Sequence, residues 1–205
     1  MAGSAMNETA KSRILLLLSL LFGFALAACQ AGGGEEPPLK GAAMGGPFAL
    51  TDHNGRQVTE KDFAGKYRIV YFGFTHCPDV CPTDLLQIGR AMKQFEALDA
   101  DRAARVQPLF ITTDPERDTP AVMKKYSAAF HPRILGLTGT PQQIADVAKR
   151  HAVYYAKGEP TAGGGYSVDH SRVLILFGPE GEPIALLPHD QDAAAIAAEL
   201  DRWVE

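Results

Sequence analysis

The sequence predicts an α/β fold, a central mixed sheet with helices on both faces and a β-hairpin at its N-terminal end. Three observations carry this. The runs Tyr67 to Phe74 and Val106 to Thr112 are apolar on both faces, as strands buried on both sides are. A helical repeat of apolar residues follows each run, so strand and helix alternate. Phe48-Ala-Leu-Thr51 and Arg56-Gln-Val-Thr59 flank Asn54-Gly55, a strong hairpin signal.

The elements follow in chain order. The hairpin opens the folded domain near Phe48, and Asp62-Phe-Ala-Gly65 is a short turn. Tyr67 to Phe74 is the central strand, polar only at Arg68. Pro82 to about Leu98 reads as a helix with Leu85, Ile88, Met92 and Phe95 on one face. Val106 to Thr112 is the next buried strand. Thr119-Pro120 reads as an N-cap with proline at the first helical position, and that helix carries Val122, Met123 and Tyr126. Ile134-Leu-Gly-Leu137 is a short strand, and Thr140-Pro141 opens a helix through about His151. Ala152-Val-Tyr-Tyr155 is extended, and Glu159 to Gly165 is a Gly-rich loop. Arg172 to Phe177 and Pro183 to Leu187 form a second hairpin around Gly178-Pro-Glu-Gly181. Asp190 or Asp192 caps a last helix, with Ile196, Leu200 and Trp203 at core spacing. A thioredoxin-like layout with an added N-terminal hairpin fits this order.

The 205 residues suit one domain and a leader. A composition of 46% hydrophobic and 21% charged residues excludes global disorder, and a net charge of −4 gives no nucleic-acid surface. Lys11 and Arg13 precede an apolar run, Ile14 to Leu26, which closes on Leu26-Ala-Ala-Cys29. That is the plan of a secretory signal, with an ending that resembles a bacterial lipobox. The run is short for a span, which takes about 20 residues, so a membrane helix is the weaker alternative. The expected organisation is a lipoprotein signal peptide over 1–28, a flexible tether over 29–47 and the folded domain over 48–205. The expected location is the bacterial cell envelope, with lipid on Cys29 at a membrane and the domain in the periplasm or otherwise outside the cytoplasmic membrane.

Export leaves Cys77 and Cys81 as the pair in an oxidising compartment. They close too small a loop to restrain an unfolded chain, so a working dithiol is the better reading than a staple. They lie between a strand and a helix, and a helix N-terminus favours thiolate over thiol. Each is followed by a proline, Pro78 or Pro82, which disfavours the α region and places the pair on a loop entering the helix. Two sulfurs there can bond to one another or hold a metal. Soft thiolates select copper(I) over hard cations, while structural zinc asks for four ligands. A third ligand has to come from His53, His76, His131, His151, His170 or His189. His76 adjoins Cys77 and suits tuning a thiol better than chelating beside it. His170 stands directly before the apolar strand Val173 to Phe177, where a thioredoxin-like chain places a proline opposite its dithiol. His170 is therefore the expected third ligand. Asp114-Pro-Glu-Arg-Asp-Thr-Pro120 reads as a charged turn with a helix cap, and Asp169 as either an orienting or an exposed acid. Met92 and Met123 read as core.

At Phe72-Gly-Phe-Thr-His-Cys-Pro-Asp-Val-Cys-Pro-Thr83, Thr113-Asp-Pro-Glu-Arg-Asp-Thr119, Leu135-Gly-Leu-Thr-Gly139 and Val168-Asp-His170 the chain resembles the Sco/SenC family of copper chaperones. The resemblance implies a thioredoxin-like fold and one copper per monomer, as copper(I) with copper(II) as a second state, on Cys77, Cys81 and His170. It also implies a role in assembling the dinuclear copper centre of cytochrome c oxidase. The implied partners are a copper-containing oxidase subunit and a periplasmic copper carrier. A thiol–disulfide reductase acting through Cys77 and Cys81 on an oxidase subunit or carrier is the other functional class, and a peroxidase a distant third. His170 favours the chaperone, because a pure redox dithiol does not need it.

Overall fold

The computed structural model describes residues 35–160 and 165–205. The leader, with Ile14 to Leu26 and Cys29, lies outside the described residues, and among those described no helix is long and apolar enough to cross a membrane. Nine strands, five α-helices and a short 3-10 helix are described. They are β1 (Ala49–Asp52), β2 (Gln57–Thr59), the 3-10 turn (Glu60–Phe63), β3 (Tyr67–Gly73), α1 (Val80–Leu98), α2 (Ala100–Ala104), β4 (Val106–Thr112) and α3 (Pro120–Ala128). Then come β5 (Leu135–Thr138), α4 (Pro141–Arg150), β6 (Tyr155–Lys157), β7 (Val168–His170), β8 (Leu174–Phe177), β9 (Pro183–Leu186) and α5 (Ala193–Trp203).

Seven strands form one sheet in the order β2-β1-β5-β4-β3-β8-β9. β3 runs parallel to β4, from Tyr67 opposite Val106 to Gly73 opposite Thr112, and β4 runs parallel to β5. The other pairs are antiparallel, so the sheet is mixed. Alternation along β3 divides the core. Tyr67, Ile69 and Tyr71 join Leu85, Ile88, Met92 and Phe95 of α1, Met123 of α3 and Ile196 and Leu200 of α5 on one face. Val70 and Phe72 join Leu50, Ile111, Ile144 and Val147 on the other, under α4. Helices thus cover both faces, and Met92 and Met123 are core residues. β6 and β7 form a separate two-stranded sheet in which Tyr155 pairs with His170.

Local chemistry sets the ends of these elements. Gly55 takes φ +82 in the first hairpin, where the buried Asp52 carboxylate accepts from the N–H groups of Asn54 and Arg56. Thr119 and Thr140 cap α3 and α4 ahead of their prolines, and Asp192 caps α5. Leu39 donates its N–H to the Ile184 carbonyl and Gly45 to the Arg150 carbonyl, which sets residues 37–46 against the domain. The stretch read as extended from Ala152 starts instead with a left-handed residue: Ala152 has φ +54 and closes α4 where glycine is usual.

Two buried histidines make the fold sensitive to acid. Burial holds the imidazoles of His131 and His151 below their ordinary value of 6.5. Glu96, 3.5 Å from His131 Nε2, offsets this in part. The unfolded chain therefore takes up protons at these sites before the native protein does, and stability falls as pH drops through about 6.5. The denaturation midpoint should be lower at about pH 5.5 than at about pH 7.5, above the range where carboxylates titrate. A midpoint that is flat or rises on acidification defeats this account.

Candidate metal centre

β3 delivers the chain to the site and stops at Gly73, beyond which Phe74 to Asp79 turn into α1. A carboxylate from another loop holds that turn. Asp118 is fully buried and accepts from the Thr75 N–H at 3.1 Å, the Thr75 hydroxyl at 2.5 Å and the Thr112 hydroxyl at 2.6 Å. The loop 114–120, expected to be a charged turn, is therefore a fastening, although Thr119 does cap α3 as expected.

The two cysteines differ in setting. Cys77 lies in the turn and is half-buried, with its N–H on the Phe74 carbonyl at 3.3 Å. Cys81 is the second residue of α1 and fully buried, so the expectation that both precede the helix holds for Cys77 alone. Pro82 is tolerated in the first helical turn because its missing N–H has no partner to lose there. Burial of the Cys81 side chain then outweighs the bias that a following proline imposes. Both thiols are free, and the Cys81 N–H donates to Cys77 Sγ at 3.5 Å. Gly73 makes this approach possible: a Cβ there would lie 2.9 Å from Cys81 Sγ and 3.1 Å from the Phe110 ring.

His170 ends β7 and aims Nε2 at Cys81 Sγ, 3.3 Å away. Its Nδ1 lies 3.2 Å from the Ser171 carbonyl, which can only accept, so Nδ1 carries the proton and Nε2 presents its lone pair. Burial lowers the His170 pKa and keeps the ring neutral near pH 7. Burial also pushes the Cys81 thiol up to about 12, against the lowering expected from the helix N-terminus. A neutral thiol therefore donates to a neutral imidazole. The ligand atoms of Cys77, Cys81 and His170 all lie within 4.8 Å of one another. Two sulfurs and a nitrogen, with no carboxylate among them, suit a soft, low-coordinate metal.

The other histidines stand elsewhere. His76 is exposed and groups with Asp114 and Asp118. His53 accepts from the Gly136 N–H, and His151 lies between the rings of Phe72 and Phe177. Asp169 is exposed. Sequence reasoning missed three polar residues beneath the site. Asp84 is 3% exposed and takes hydrogen bonds from Tyr71 and Arg172. An acid on the apolar face of α1, between Cys81 and Leu85, was the available signal.

Gly73→Ala places a methyl group into Cys81 Sγ. Overpacking of this kind should cost about 1–3 kcal/mol and speed alkylation of Cys81 in the folded protein. Unchanged melting together with unchanged protection of Cys81 would show that the close approach at Gly73 is not needed.

Comparisons with known proteins place the chain in a family. The family model described as SCO1/SenC matches residues 36–205. The protein SCO2 homolog, mitochondrial, of Bos taurus is 49% identical over 144 residues, which make up 70% of this chain and 53% of that one. The chain thus spans about half the length of this curated relative. The structure of Bradyrhizobium japonicum ScoI with copper bound is 42% identical with a TM-score of 0.71, over 78% of this chain and 99% of that one. The thioredoxin domain of a thiol-disulfide oxidoreductase from Bacteroides vulgatus, at 17% identity and a TM-score of 0.54 over 86% of this chain and 100% of that one, shares the fold alone. One expectation is corrected here. The relatives from Bos taurus, Saccharomyces cerevisiae, Arabidopsis thaliana and Homo sapiens are named mitochondrial, which overturns the expected bacterial-envelope location. The residues that carried that expectation, Lys11 to Cys29, precede the family match, whereas the likeness to these relatives runs along most of the domain. From the family match over 36–205 and the identity to these relatives, the chain belongs to the SCO1/SenC family.

Proposed function

We propose that this protein binds copper through Cys77, Cys81 and His170 and serves the assembly of cytochrome c oxidase, handing the ion on to its dinuclear copper centre. The observation that carries this is the meeting of one imidazole and two thiols, with Nε2 of His170 3.3 Å from Cys81 Sγ. The donor set fits copper(I), since sulfur supplies the preference for a soft ion and the imidazole completes a three-coordinate site. Copper is the cargo. A low-coordinate site leaves room for a partner's ligand to enter before the chaperone's own ligands leave, so the ion need not be released free. The copper bound in the related ScoI supports the reading. The recipient in this reading is an oxidase subunit, and the supplier a copper carrier.

A second reading rests on the two thiols themselves. Half-buried Cys77 beside buried Cys81 is the layout of an attacking thiol and its resolving partner, as in a reductase for the cysteines of an oxidase subunit or carrier. A disulfide between them would also withdraw both sulfurs from copper, so redox state would gate loading.

Titration of the reduced protein with copper(I) tests the first reading. One equivalent should bind. Cys77→Ser and Cys81→Ser should abolish tight binding, and His170→Ala should weaken it at least about tenfold, the scale on which even outer-shell partners act. Unchanged affinity and spectrum in His170→Ala, in both copper oxidation states, removes His170 from the site. The oxidised protein, two hydrogens lighter after alkylation and mass measurement, should bind no copper at this site; stoichiometric binding by that form ends the gating idea. Complementation separates the two readings. Failure of His170→Ala with the thiols still redox-active marks copper delivery, whereas full rescue by His170→Ala and failure of either cysteine variant marks the reductase.

A further inference from the structure

His170 lies outside the seven-stranded sheet, and among the described residues no hydrogen bond from that sheet holds its side chain. His170 ends β7, which pairs with β6 outside that sheet, and Cys81 belongs to α1. The links Ser171 N–H to Tyr154 carbonyl and Tyr154 N–H to Ser171 Oγ hold the histidine segment to its own hairpin strand, not to α1. Apart from the Cys81–His170 contact, the hydrogen bonds joining residues 168–172 to α1, among the described residues, all end on one carboxylate.

That carboxylate is Asp84, three residues after Cys81 and on the same face of α1. Arg172, two residues after His170, grips it with both arms of its fork: Nε to Oδ2 at 2.8 Å and Nη2 to Oδ1 at 2.5 Å. Tyr71 of β3 donates its hydroxyl to Oδ2 at 2.8 Å, and its ring meets that of His170 edge-on, with centroids 6.4 Å apart. Arg172 Nη2 also donates to the His189 carbonyl at 3.2 Å. The pin therefore lies within three residues of the sulfur on one side and two of the imidazole on the other. A bidentate pair fixes direction as well as distance, which a lone ammonium does not.

We propose that Asp84 and Arg172 are positioning residues for the centre, setting His170 Nε2 against Cys81 Sγ. Neither touches the metal. The inference rests on the copper reading for its consequence but not for its geometry. Pinning matters because a ligand set works only when held within about 0.5 Å of its productive arrangement. Removing the fork should leave both thiols able to take copper(I) while the imidazole drifts from the site.

The test uses the full chain, reduced, with two variants. Arg172→Lys keeps the charge on Asp84 and gives up the fork. Asp84→Leu with Arg172→Met replaces the pair by apolar residues, a change that buried ion pairs often tolerate without loss of stability. The first readout needs no metal: magnetisation transfer between the His170 ring and the Cys81 β-protons, present in the parent and lost in both variants. The second is copper(II) added to the same samples, where nitrogen splitting in the paramagnetic spectrum should fade and affinity should fall about tenfold. If the double variant fails to fold, Arg172→Lys carries the test alone. A folded variant that keeps the transfer, the nitrogen splitting and an affinity within about twofold of the parent overturns the proposal. His170→Ala separates the two ideas. If it leaves the copper signal of the parent unchanged, the copper reading fails, while the metal-free transfer still decides whether Asp84 and Arg172 place His170.

Discussion

The close approach between the end of β3 and the first turn of α1 is the constraint on which the site depends. At Gly73 the sheet comes so near that a Cβ there would lie 2.9 Å from Cys81 Sγ. That approach buries Cys81 completely, and burial in turn decides its protonation and the direction of its hydrogen bond. The other fastenings serve the same junction. Asp118 ties the turn at Thr75 to the end of β4, and Asp84 ties α1 to the segment after His170.

Cys81 and His170 meet without a formal charge on either. A thiol that keeps its proton faces an imidazole that carries only one, so the buried donors are mutually satisfied without charge. Burial of neutral partners is far less costly than burial of a thiolate or an imidazolium. The formal charges nearby are on buried Asp84 and half-exposed Arg172, which pair with each other.

Much of this was legible in the chain. The paired apolar runs of β3 and β4 announced a sheet covered on both faces, and the Thr-Pro pairs marked the starts of α3 and α4, because both signals are local. The grouping of Cys77, Cys81 and His170 was legible too, since a thioredoxin-like layout sets the residues before β8 on the side of the dithiol. What escaped depended on side-chain packing. Nothing near Ala152 signals a left-handed residue, because the usual glycine is missing. Arg172 and Asp84 are 88 residues apart, and although an acid on the apolar face of α1 hints at a buried partner, nothing local names Arg172 as that partner. The exact start of α1 was hidden by Pro82, whose bias against a helical residue before it is overruled by the burial of Cys81.

The segment before Phe48 has a role that its Gly-rich composition conceals. β9 is the last strand of the sheet, paired on one side with β8, and Leu39 meets the Ile184 carbonyl on β9. Unpaired strand edges recruit other strands, and proteins commonly cover them with a loop. Leu39 and Met44 also pack against the apolar core on the α4 face. A chain trimmed back to Phe48 would keep every donor atom of the centre and lose this cover. Its weakness would then be self-association through β9, which a loss of copper binding would not report.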